Sequence, residues 1–151
     1  MSGSGVDRAE RRRARAAALQ LLYQHEVGGG SADEFDEALR RFWDEHPVAT
    51  AHRPFAATLL RGAVDARETV DPLISDASQH WRLSRMAVVD RNVLRLAVYE
   101  LLLAETPAAV VIDEAIELAR TFGDEASPRF VNGVLDAVKR TLDASPRSVP
   151  E

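Results

Sequence analysis

VVDRNVLRLAVYELLL, Val88 to Leu103, is the stretch whose reading decides the fold. It is apolar on nearly every side. At 3.6 residues per turn, Leu94, Ala97, Val98 and Leu101 share one face while Val93, Leu96 and Leu103 occupy others. A helix that is apolar all round is buried on several sides by other helices. Sixteen residues exceed the usual length of a strand, and only four of them are Val, so the segment reads as a helix. It is the expected central helix of an all-α domain.

The flanking chain supplies amphipathic partners. Residues 1–7 open Gly/Ser-rich and are expected to be disordered, the domain to span 8–144, and 145–151 to form a Pro-containing flexible tail. A first helix is expected over Arg8–Val27, with an apolar stripe of Ala14, Ala17, Ala18, Leu21 and Leu22, ended by Gly28, Gly29 and Gly30. Ser31 and Glu34 fit a capping box for a second helix, which carries Phe35, Ala38, Leu39, Phe42 and Trp43 and ends at His46-Pro47. A third begins near Arg53-Pro54 and buries Phe55, Ala56, Leu59, Leu60 and Ala63. A fourth carries Val70, Leu73, Ile74 and Ala77. The linker Ser78–Ser84 follows, with Trp81 expected to plug the core.

Thr106-Pro107 and Ser127-Pro128 read as N-cap plus first-turn Pro for helices six and seven. Their inner faces are Val111, Ile112, Ala115, Ile116 and Ala119, then Val131, Val134, Leu135, Val138 and Leu142, with Gly123 closing helix six. No stretch alternates long enough to form a strand. About seven helices in one or two packed sets are expected.

The 151 residues are 46% hydrophobic and 28% charged, enough for a real core in one domain or two small lobes. No window reaches the length and apolarity of a membrane span, and no apolar run follows the N-terminal charges as a signal peptide requires. The lack of cysteine removes disulfides, thiolate nucleophiles and Cys-based zinc sites, and fits a reducing cytoplasm. His25, His46, His52 and His80 have no metal-binding spacing, so no metal or cofactor is expected. Asp113, Glu114 and Glu117 lie early in a helix, where negative charge is stabilising without any acid–base role, and no active site is expected.

Net charge is −5, yet Arg8, Arg11, Arg12, Arg13 and Arg15 crowd one end. Arg8, Arg12, Arg15, Leu19 and Tyr23 form an oblique stripe beside the apolar face of helix one. Guanidinium forks match phosphate oxygens, and Tyr rings stack on unpaired bases. Positive charge at a helix start opposes the helix dipole by about 0.3–1 kcal/mol per charge, which hints at a use elsewhere. From these residues alone, RNA binding and a solvated helix start both stand. In the central helix, Arg95 needs a buried carboxylate, for which Glu114 and Glu117 are candidates. Gly133, inside helix seven, costs roughly 1 kcal/mol against Ala and is expected to admit a neighbouring backbone.

Three segments carry a resemblance: RRRARAAALQLLY (Arg11–Tyr23), VVDRNVLRLAVYELL (Val88–Leu102) and VIDEAIELARTFGDEASPRFVNGVLD (Val111–Asp136). Together, in this order and spacing, they resemble the NusB transcription antitermination factors over nearly the whole chain. The segment between His46 and Ser84 matches only in pattern. The resemblance implies an all-helical fold of two small packed lobes, binding to boxA RNA jointly with NusE (also a small-subunit ribosomal protein), and action within an RNA polymerase antitermination complex in ribosomal RNA operons. It implies no catalysis. Some relatives self-associate, which adds a homodimer to the expected partners.

Residue by residue, the resemblance carries RNA binding to Arg11, Arg12, Arg13 and Arg15, to Tyr23, and to Arg129 and Phe130. Arg8 joins them by proximity. Asp90 matches an acidic position near both partners, and Arg91 beside it is expected to emerge at the same partner surface. Pro128 and Ala126 depart from the family pattern in the loop before helix seven. Two other readings remain open: the RNA-binding lobe of a ribosomal RNA cytosine methyltransferase, which uses the same fold, and a helical adaptor that binds only proteins. The methyltransferase needs a further Gly-rich cofactor domain and a Cys nucleophile.

Overall fold

A computed structural model describes residues 4–28, 32–46, 50–79 and 81–149, the side chains of 4–6 and 32–33 excepted. The expected Ser31 cap, the chain stop at Gly29 and Gly30, Pro47, His80 and the last two residues lie outside the described residues. Seven α-helices are found among them: α1 (Ser4–Gly28), α2 (Ala32–Glu45), α3 (Arg53–Asp65), α4 (Arg67–Ala77), α5 (Val88–Leu103), α6 (Ala108–Phe122) and α7 (Ser127–Ala144). Short 3-10 turns at Thr50–His52 and Leu83–Arg85 lead into α3 and α5. α1 starts one turn ahead of the expected Arg8.

α5 is the axis of the molecule. It packs against α1, α3, α4, α6 and α7. Val93, Leu94 and Val98 are fully buried, with Leu96, Ala97 and Leu102 nearly so. α1 and α3 pair on one side, α6 and α7 on the other, and α4 leans on α7. One continuous hydrophobic cluster runs through both sets. The apolar stripe of α1 is buried throughout, from Ala14 to Leu22. Val149, beyond α7, still packs on the core.

Close helix approach falls elsewhere than expected. A Cβ on Gly133 would meet nothing within 4 Å. A Cβ on Gly62 of α3 would overlap the Tyr99 ring of α5. Gly62, not Gly133, lets two helices close, because the bulky ring across α5 leaves no room for a side chain. Trp81 does not plug the core; it is 57% exposed. The backbone around it is instead tied by the Ser78 hydroxyl, which donates to the Trp81 carbonyl at 2.9 Å.

The α6–α7 turn also differs. Ser127 is not the cap of α7; that position is Ala126. Asp124 takes over the role. Its Oδ1 accepts from the backbone N–H groups of Ala126 at 2.9 Å and Ser127 at 3.1 Å. The buried Ser127 hydroxyl accepts the Asp124 N–H at 3.0 Å. The side chain that sequence assigned to capping therefore stitches the loop shut, and the loop holds Arg129 and Phe130 in the first turn of α7.

Candidate functional site

The arginines of α1 fan out to different partners. Arg15 points inward. Its side chain is 5% exposed, and it donates Nε and Nη2 to the two carboxylate oxygens of Glu100 on α5 at 2.9 and 2.7 Å. Apolar side chains such as Leu59, Val93 and Leu118 wall the pair. Glu100, which interrupts the otherwise apolar α5, is thus the counter-ion of Arg15.

One turn earlier, Arg12 and Arg8 share a second carboxylate. Arg12 donates Nε at 2.8 Å and Nη2 at 3.0 Å to Glu114 of α6, and Arg8 adds Nε at 3.0 Å. Glu114 is 1% exposed, whereas Arg8 and Arg12 remain 55% and 48% exposed. The bonds from Arg12 hold the Glu114 carboxyl below its ordinary range, against the upward push of burial. Glu114 therefore does not serve Arg95. Arg95 instead forks onto Asp71 of α4 at 3.0 and 3.1 Å, with Glu26 of α1 nearby. The sequence expectation failed because it sought a partner further along the chain, while α4 and the end of α1 flank α5 at that level.

Arg11 lies over the Phe55 ring, 4.3 Å from its centroid, and reaches Thr106 Oγ1 at 3.4 Å. Arg13 is exposed and pairs with Glu10 on its own helix at 2.5 Å. Such a surface i,i+3 pair leaves it available to other anions.

Tyr23, further along α1, is 49% exposed. It borders an open groove of about 400 Å³, walled by Leu19, Gln20 and Gln24 of α1 and Phe122 of α6, with Val89 and Asn92 of α5 as its floor. Phe122, 38% exposed, is a member of this site that the sequence did not single out. The only signal was an aromatic residue in the last turn before Gly123. Arg129 is exposed and Phe130 half-buried against the core.

Asp90 and Arg91 emerge less than expected. Asp90 is 8% exposed, and its Oδ1 has no hydrogen-bond partner among the described residues. Burial pushes its carboxyl above the ordinary value, opposed by the polar Ser127 hydroxyl nearby and aided by the charge of Asp124. Arg91 turns back to pair with Glu26 and donates to the Leu83 carbonyl at 2.9 Å. Among the described residues, no group of three or more His, Asp or Glu side chains could hold a metal, and no helix is long and apolar enough to cross a membrane.

The NusB family pattern matches residues 12–140, most of the chain. The chain belongs to the NusB family. A relative named transcription antitermination protein NusB, from Anaeromyxobacter dehalogenans, is 50% identical over 140 residues, covering 92% of this chain and 96% of that protein. Among solved structures, T. maritima NusB is 39% identical and superposes with a TM-score of 0.72, covering 93% of each chain. A structure of the antitermination factors NusB and NusE in complex with dsRNA contains a chain 29% identical with a TM-score of 0.75, covering 88% of this chain and 98% of that one. The match to NusB proteins covers most of each chain.

Proposed function

We propose that this NusB-family chain is an antitermination factor that binds boxA RNA together with NusE and acts, within an RNA polymerase complex, on transcription of ribosomal RNA operons. It works by binding alone, catalyses no reaction, and acts in the cytoplasm. Family membership over nearly the full length carries this reading, and the surface chemistry supports it. A basic helix edge lies beside an aromatic groove, the pairing that single-stranded RNA uses for phosphate contact and base stacking.

Within that surface, Arg8, Arg11, Arg12 and Arg13 supply phosphate contacts. Tyr23 and Phe122 offer rings to splayed bases, and Arg129 and Phe130 extend the surface onto α7. Arg15 supports the surface from inside through Glu100. Asp90 and Arg91 belong to the adjoining partner surface as its framework. With about four phosphate contacts, log K falls with log salt at a slope near −3, at roughly 0.7 per contact to single strands. NusE adds surface, so the pair holds RNA more tightly than either alone. A titration of labelled boxA RNA against a scrambled sequence, with and without NusE, tests the reading. Equal binding of both sequences under both conditions would leave a protein-only adaptor.

A further inference from the structure

Arg8 and Arg12 are one helical turn apart, carry like charges, and are both bonded to the same buried carboxylate. The two cannot both leave cheaply, because that strands a charge that is 1% exposed. Each uses only part of its donor set. Among the described residues, Arg8 spends Nε and keeps both terminal amino groups, and Arg12 spends Nε and Nη2 and keeps Nη1. About half of each side chain faces solvent. Two guanidinium groups are thus held side by side from behind, with outer donors that have no hydrogen-bond partner among the described residues.

We propose that Glu114 is a positioning residue that fixes Arg8 and Arg12 as a rigid two-guanidinium seat for one phosphodiester group of the bound RNA. This rests on the RNA-binding reading above and adds to it a buried acid that aids an anionic ligand. A bare count of charges gives the opposite sign: removing a carboxylate beneath two arginines makes the site more positive and draws RNA in. In the seat, the carboxylate instead absorbs in advance the entropy of ordering two long side chains, which an untethered pair loses on binding. The shared acceptor also keeps the two like charges together before the phosphate arrives.

The test compares boxA RNA binding by wild type, Glu114→Gln and Arg8→Lys across a salt series, with melting temperature measured alongside. Glu114→Gln is expected to bind about ten-fold more weakly, the scale of freeing two long side chains. Its salt slope should fall by about 0.7, one phosphate contact. Arg8→Lys keeps the charge and changes only an exposed side chain, so the fold is retained, yet it loses the fork and the Nε bond. It is expected to weaken binding several-fold. Tighter binding by Glu114→Gln would make the carboxylate a competitor of RNA and overturn the seat. Unchanged binding by Arg8→Lys would also overturn it while leaving the RNA reading intact. A wild type that shows no boxA preference, with or without NusE, would overturn both.

Discussion

Replacing Arg15 by alanine separates the two roles an arginine in a basic motif can have. In the structure Arg15 and Glu100 are 5% and 4% exposed and share two short hydrogen bonds. Removing the guanidinium leaves a carboxylate among apolar side chains of α3, α5 and α6. Breaking such a pair from one side costs about 3–5 kcal/mol, because an uncompensated charge stays buried. For a domain of this size, each kcal/mol lowers the melting temperature by roughly 2–4 °C, so Arg15→Ala should melt roughly 6–20 °C below wild type. Arg15→Met with Glu100→Leu removes both charges at similar volume and should recover most of the loss, since well-packed apolar replacements of buried pairs are often neutral or better. The assay is thermal and urea unfolding followed by circular dichroism for wild type, both single variants and the double variant. Boxa RNA affinity is read on every variant that remains folded. The double variant should bind RNA nearly as wild type does. If Arg15→Ala keeps its melting temperature and loses RNA binding, the side chain serves the ligand and the reasoning fails.

Two glycines should respond with opposite signs. Gly62→Ala overlaps the Tyr99 ring and should destabilise by about 1–3 kcal/mol, whereas Gly133→Ala, open on all sides within 4 Å, should gain about 1 kcal/mol in urea denaturation. Asp90 has a folded-state pKa raised above 3.8, so the folded protein holds its proton more tightly than the unfolded chain. The stability linked to that group is therefore present at low pH and lost as pH rises through the folded value. Asp90→Asn removes the loss, and its melting temperature should rise relative to wild type from pH 4 to pH 7; a difference independent of pH would count against this. Tyr23→Ala and Phe122→Ala, at exposed rings, should leave the fold intact and each weaken RNA binding by about 1–3 kcal/mol, the usual worth of one stacked base.

The helical architecture was legible because its signal is local. Val88–Leu103 is apolar on nearly every face, and the axis of a bundle accommodates that. The stripes of α1, α6 and α7 then specified what packs around it. Ion pairing was not legible, because it depends on which helix ends meet in space. Arg95 met Asp71 and Glu26, and Glu114 met Arg8 and Arg12, across separations in sequence that no spacing rule covers. Arg15 looked like its neighbours in the motif, although its place between Ala14 and the stripe residues turned it to the core. Glu100 held the one readable clue: an acid inside an apolar helix requires a buried cation. Trp81 misled, and Phe122 went unremarked, for the same reason. Apolarity predicts burial, and where a groove or an exposed linker intervenes, the large ring stays at the surface.

RNA recognition by this chain is tested most directly by a salt-resolved titration of the full chain with boxA RNA and a scrambled control, with and without NusE. A preference for boxA, strengthened by NusE, is expected, with a slope of log K against log salt near −3 from about four phosphate contacts. Equal binding of the two RNAs in both conditions, or affinity insensitive to salt, would contradict it.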